Sequence, residues 1–299
     1  MRRSSFLALA LSVLLAWPAA ADFQEGLTAF QAGDYDAALA EWRPLAENGH
    51  SEAQSIIGFM YATGRGVARD DAEAVNWFRK AAAQGHAQAQ NDLGVMYDNG
   101  RGVEQNPSEA VYWFRKAAEQ GFAKAQTNLG LMYMKGRGVA QDYGPAVEWY
   151  RKAADQNDAA AQNNLGLMYM NGRGVKKDDT EALNWYRKAA EQGYARAQHN
   201  LAFMYRNGQG VAPDYTQAVK WYRLAAEQGY ARAQFDLGEL YARGEHVQLD
   251  QAEALKWIRR AAEQEYEDAV TWIRNAAEKG NPGAQFGLGL MYINGRGVA

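Results

Sequence analysis

Residues 159–194 read AAAQNNLGLMYMNGRGVKKDDTEALNWYRKAAEQGY, and close copies of this stretch begin at Ser51, Ala87, Ala123, Ala195 and Ala231. Trp77, Trp113, Trp149, Trp185, Trp221 and Trp257 fall at a constant spacing of 36 residues. A fixed period of this length marks a stacked repeat. Within the stretch, Ala161, Leu165, Met168 and Tyr169 follow the spacing of one helical face. Gly172 can take the left-handed conformation that ends a helix. Asp178, with Glu181 three residues on, has the form of a capping box opening a second helix. That second helix turns Ala182, Leu183, Trp185, Tyr186, Ala189 and Ala190 inward, and Gly193 stops it. Each copy is therefore expected to be a helix–turn–helix hairpin.

The other copies reach the same local structure with different residues. Asp70 with Glu73, Asn106 with Glu109, Asp214 with Gln217 and Asp250 with Glu253 hold the capping positions, and Pro107 takes the first helical position. Gly94, Gly130, Gly166 and Gly238 recur in mid-helix, where glycine costs about 1 kcal/mol against alanine. Their regular placement points to close helix approach. One hairpin cannot cover its own apolar face, but stacked copies can.

The pattern A-x-A-Q-x-N-L-G-x-M-Y-x-x-G-x-G-V followed by D-x-x-x-A-L-x-W-Y-R-K-A-A-E-Q-G resembles the Sel-one-like repeat family, a relative of the tetratricopeptide repeats. The resemblance covers six full copies, 51–86, 87–122, 123–158, 159–194, 195–230 and 231–266. It implies an all-α fold, a right-handed superhelical solenoid of helix–turn–helix hairpins with a 36-residue period, used as a protein-binding scaffold.

Around the repeats lie four other segments. Residues 1–21 read as a cleaved signal peptide: Arg2 and Arg3, an apolar run from Phe6 to Leu15, then Ala19-Ala20-Ala21. The expectation is a mature chain starting near Asp22, exported to the periplasm or secreted, with no stable membrane insertion. Residues 22–50 read as a divergent, tetratricopeptide-like capping hairpin. At the far side, Glu265 replaces the stopping glycine, and 267–281 reads as an extra helix resembling a second copy of the second helix. With no Gly or Pro between Asp250 and Lys279, that span is expected to be one long or kinked helix, and the C-terminal helices are the candidate dimer contact. Residues 282–299 restart a first helix as a partial repeat.

Composition removes several functions. With no cysteine there is no thiolate metal site and no cysteine nucleophile. Relatives with disulfide-linked repeats carry penicillin-binding activity, but this chain lacks their cysteines, so that activity does not transfer. A net charge of −3, or −5 without residues 1–21, argues against a nucleic-acid partner. The Arg-Lys pairs at 79–80, 115–116, 151–152 and 187–188 read as a solvated face. His50 and His86 read as packing residues at the ends of copies, while His199 lies at a variable helix position and His246 replaces a loop glycine. No metal site, cofactor or catalytic set emerges. Arg65, Arg101, Arg137 and Arg173 in the Gly-x-Gly loops are expected to pair with acidic neighbours.

What remains is a surface. The second, fifth, ninth and twelfth positions of the first helix vary between copies and read as one face away from the core, which the resemblance places on the inner curve. Leu131, Met134, Leu167, Met170 and Phe203 form an apolar strip there, with Arg196, His199, Arg206, Arg232 and Phe235 beside it. Such a strip suits a protein or peptide partner carrying acidic residues. The expected role is a non-catalytic envelope scaffold, regulating a membrane sensor or organising envelope or polysaccharide assembly. The alternatives are a cell-wall or β-lactam-acting enzyme and a peptidoglycan-binding structural protein.

Overall fold

The computed structural model describes residues 22–244 and 247–295. The signal-peptide reading of 1–21 and the loop histidine His246 lie outside the described residues. Among the described residues the chain is all helix. A leading hairpin pairs α1 (Phe23–Ala32) with α2 (Tyr35–Glu47). The first helices of the six repeats are α3 (Ser51–Thr63), α5 (Ala87–Asn99), α7 (Ala123–Lys135), α9 (Ala159–Asn171), α11 (Ala195–Asn207) and α13 (Ala231–Arg243). The second helices are α4 (Asp71–Ala83), α6 (Pro107–Glu119), α8 (Tyr143–Ala154), α10 (Asp179–Glu191), α12 (Tyr215–Glu227) and α14 (Gln251–Ala262). After them come α15 (Glu267–Glu278) and α16 (Pro282–Asn294). Contacts divide the chain into two units, residues up to 96 with 100–104, and 97–99 with 105 onward. Each is a run of stacked helix hairpins, as expected of an all-α solenoid.

The caps form where the residue types placed them. The Asp178 carboxylate accepts from the Thr180 and Glu181 amides at 3.0 Å each, and Asp70, Asn106, Asp214 and Asp250 accept from the amides three residues on. His50 and His86 differ from expectation. Their Nδ1 atoms accept from the Ala53 and Ala89 amides at 3.2 Å, so both are N-caps. That bond needs an unprotonated Nδ1, and burial lowers the His86 pKa from its ordinary value.

The mid-helix glycines are contact points. A Cβ on Gly130 or Gly166 would lie 2.7 or 2.8 Å from the ring of Tyr150 or Tyr186, the buried aromatic of the same hairpin. Each first helix also docks onto the preceding second helix through a buried glutamine. The Gln162 amide donates to the Ala154 carbonyl at 3.2 Å, and its Oε1 accepts from Gln192 at 2.7 Å. Gln54, Gln126, Gln198 and Gln234 make the same pair of bonds. The sequence pattern contained this glutamine, but its role emerges only from the packing.

The Arg-Lys pairs are also more than a solvated face. Arg115 and Arg151 donate to the hydroxyls of Tyr133 and Tyr169 in the next first helix, both at 2.8 Å. Lys152 and Lys188 lie 4.1 Å over the rings of Trp149 and Trp185. Of the loop arginines, Arg101 meets Asp71 at 2.6 Å and Arg137 meets Asp98 at 2.8 Å. Arg65 and Arg173 instead stand over the rings of Phe59 and Tyr143.

The single long helix expected over 250–279 is not formed. The chain breaks between α14 and α15, with Glu265 at φ 62° and the Tyr266 amide bonded to the Ala261 carbonyl at 3.2 Å. Left-handed glutamate costs about 1 kcal/mol. The turn persists because Ile258, Ala261, Ala262, Val270 and Ile273 must share one core, which a straight helix cannot arrange. Asn157 takes the same turn, at φ 63°, after α8. The Gln285 amide donates to the Ala277 carbonyl at 3.1 Å, so α15 serves α16 as second helices serve the first helices that follow them.

Two measurements test this account. Gly174 has φ 69° and its Cβ would lie 2.3 Å from the Tyr143 carbonyl, whereas Gly193, at φ 86°, faces open space. Gly174→Ala is therefore expected to cost about 3 kcal/mol in urea unfolding and Gly193→Ala about 1 kcal/mol. The Arg101 and Arg69 guanidinium groups hold the Asp71 carboxyl down at about 2. A depressed carboxylate stabilises the fold above its unfolded value near 4 and loses that contribution as pH falls toward 2. Arg101→Met should cost about 1 kcal/mol at pH 7, given the partial exposure of the pair, and much less near pH 2.

Candidate partner-binding face

All ten residues of the expected strip lie in the second unit, on α7, α9, α11 and α13. In α9, Ala161, Gln162, Leu165, Gly166 and Met168 are buried and point toward α10 and α8. The ninth residue of each first helix lies on the opposite side. Leu131 and Leu167 are half-buried there, and Phe203 is 38% exposed. Arg196 and Arg232, at second positions, are exposed on the same side.

The twelfth residues divide their atoms between core and surface. Met134 and Met170 are half-buried, and their sulfurs accept from the Tyr150 and Tyr186 hydroxyls at 3.7 and 3.9 Å. Burial pushes the pKa of both tyrosines upward, so these hydroxyls stay protonated donors. Arg206, half-buried, holds the equivalent place in α11. Leu131, Met134, Leu167, Met170 and Phe203 thus recur at two positions of three successive first helices, with cations beside them.

The fifth position departs from expectation. His199 is only 2% exposed, and Asn91, Thr127 and Asn163 are buried as well. Phe235 is half-buried, packed in the core of the last helices with its ring 5.6 Å from that of Tyr266. The fifth residue stands on the flank that meets the next first helix, as the Asn163–Asn200 bond of 2.9 Å from α9 to α11 demonstrates. Its variation reflects a lateral pairing, so His199 and Phe235 support the face from beneath rather than forming it.

The strip is open surface. Two clefts of this unit lie elsewhere, one beside Tyr205 and residues 211–216 and another between Gln251 and residues 272–281. Among the described residues no group of three His, Asp or Glu side chains is placed to hold a metal, and no helix is long and apolar enough to cross a membrane. This geometry can hold an extended or helical segment by apolar contact and charge.

Comparison with known proteins agrees with the hairpin architecture. The crystal structure of c5321, a protective antigen of uropathogenic Escherichia coli displaying an SLR fold, matches with 39% identity and a TM-score of 0.72. The match covers 91% of this chain, which spans 64% of that protein. A Sel1 repeat protein from Oxalobacter formigenes matches with 35% identity and a TM-score of 0.77, over 81% of this chain and 97% of that one. No match was found among curated proteins. The Sel1 repeat model matches residues 51–86, 87–122, 123–158, 159–194, 195–230, 231–266 and 282–299. The chain belongs to the Sel1 repeat family, whose fold is a scaffold for protein–protein interaction.

Proposed function

We propose that the chain is exported and acts in the cell envelope as a non-catalytic scaffold, binding a peptide segment of a partner protein on its first-helix face. One observation carries the reading: Leu131, Leu167 and Phe203 repeat at the ninth position of three successive first helices, with exposed Arg196 and Arg232 alongside. Apolar side chains at a fixed repeat fit regularly spaced apolar anchors, and the arginines fit carboxylates between them. Export rests on Arg2, Arg3, the apolar run to Leu15 and the small residues 19–21. The antigen character of c5321 supports a location accessible from outside the cell. Within the envelope, the role is to regulate a membrane sensor or to organise an envelope or polysaccharide assembly. The C-terminal helices are the proposed contact if the chain dimerises.

The test compares the mature chain as bait in envelope extract with a Leu131→Arg, Leu167→Arg, Phe203→Asp variant matched in helical content by circular dichroism. The expected result is one protein bound by the first and weakened about tenfold or more by the triple change. A partner held equally by both would move the site off this face. Hydrolysis of a chromogenic β-lactam, or cosedimentation with purified peptidoglycan in place of any protein partner, would replace the scaffold reading. Intact-mass analysis of the native protein should give a chain starting at Asp22, and a retained Met1 would overturn export.

A further inference from the structure

One junction between first helices differs in kind from its neighbour. Between α9 and α11, the lateral pair is neutral: the Asn200 Nδ2 donates to Asn163 Oδ1 at 2.9 Å. Between α11 and α13, the residues at the same two positions are His199 and Asp236, with Nε2 and Oδ2 2.6 Å apart. The His199 side chain is 3% exposed. Its ring stands 5.4 Å from those of Tyr222 in α12 and Tyr230 at the start of α13.

The hydrogen-bond directions set the proton count on the imidazole. Asn200 spends its amide nitrogen on Asn163, which leaves its carbonyl oxygen turned to His199 Nδ1 at 3.4 Å. The other ring nitrogen faces a carboxylate oxygen. Both ring nitrogens therefore meet acceptors, and only a doubly protonated imidazole can donate to both. We infer that His199 and Asp236 form a proton-dependent lock between the fifth and sixth repeats. With His199 charged, α11 and α13 are joined by an ion pair, and the bonds continue through Asn200 to Asn163 of α9. Loss of the Nδ1 proton leaves that nitrogen facing the Asn200 oxygen and turns the α11–α13 ion pair into a hydrogen bond from a neutral imidazole, which weakens the contact.

Two arginines stand near the pair, Arg206 on α11 and Arg232 on α13. The hydroxyls of Tyr222 and Tyr266 feel Arg232 and Asp236, and Tyr222 also feels Arg206. Burial pushes the pKa of both tyrosines up, that of Tyr266 to about 12, so they stay neutral while a histidine titrates. The sign is the reverse of that at His50 and His86, whose caps fail when Nδ1 gains a proton. Raising the pH weakens the fifth–sixth junction, whereas lowering it weakens those two caps. Because Phe203 and Arg206 lie on α11 and Arg232 on α13, the lock also fixes the spacing of the basic end of the exposed face.

The test is nitrogen-15 NMR of the intact chain, which has four histidines, with His199 assigned by its loss in His199→Asn. At pH of about 6, both His199 ring nitrogens should carry protons. Raising the pH to about 9 should lower hydrogen-exchange protection in α11 and α13 by about five- to tenfold, the worth of one hydrogen bond. The double variant His199→Asn, Asp236→Asn recreates the Asn163–Asn200 pair and should show no such fall. If the double variant does not fold, Asp236→Asn alone should remove most of the pH dependence. A bare Nδ1 at the lower pH, or a fall that persists in the variants, would overturn the proposal.

Discussion

A buried amide joins each repeat to the next, and the rest of the stack depends on it. A second helix ends with a carbonyl, that of Ala154 in α8, which accepts from the turn that follows, and the next first helix packs directly on that end. One glutamine ties the two together: its nitrogen gives that carbonyl a second donor, and its oxygen accepts from the glutamine that closes the next second helix. An apolar residue there would remove both bonds, at a cost of about 1 kcal/mol for each. Because the bond has a fixed length and direction, it also fixes where each first helix sits. The glycine–aromatic contacts within a hairpin then hold the second helix at matching depth.

With the helices positioned this way, side chains at a given repeat position have a given fate. The third, seventh and tenth residues of a first helix go inward, the fifth meets the next first helix, and the ninth meets solvent. The hairpins, their caps and their core were legible because the signals are local and occur six times. Asp178 before Glu181, or Gly172 after Tyr169, states its role within one turn of helix. The glutamine was harder to read, since its partner lies in another helix. Its constancy between copies, on a stripe otherwise apolar, was the available signal.

Two misreadings share a physical cause. Variation at the fifth position resembled exposure, yet Asn163 and His199 vary together with the residues they touch, Asn200 and Asp236. A position that pairs laterally is free to change whenever its partner changes, so variability alone does not separate surface from seam. The unbroken spacing from Asp250 to Lys279 resembled one helix because local preference at Glu265 favours continuation. Core formation across α14, α15 and α16 outweighs that preference, and the glutamate takes the left-handed turn.

The same logic separates the two ends of the exposed strip. At Met134 and Met170 the side chains are tied to buried tyrosine hydroxyls, so the apolar end is an extension of the core. At Phe203, Arg196 and Arg232 the side chains stand on helices joined through a charged pair, and their spacing is sensitive to protonation in a way that the Asn163–Asn200 junction cannot match. A partner gripping the strip would find half-buried apolar side chains over α7 and α9. Over α11 and α13 it would find an adjustable, cationic set. Affinity from the first region and selection from the second is the division of labour this arrangement of residues supports.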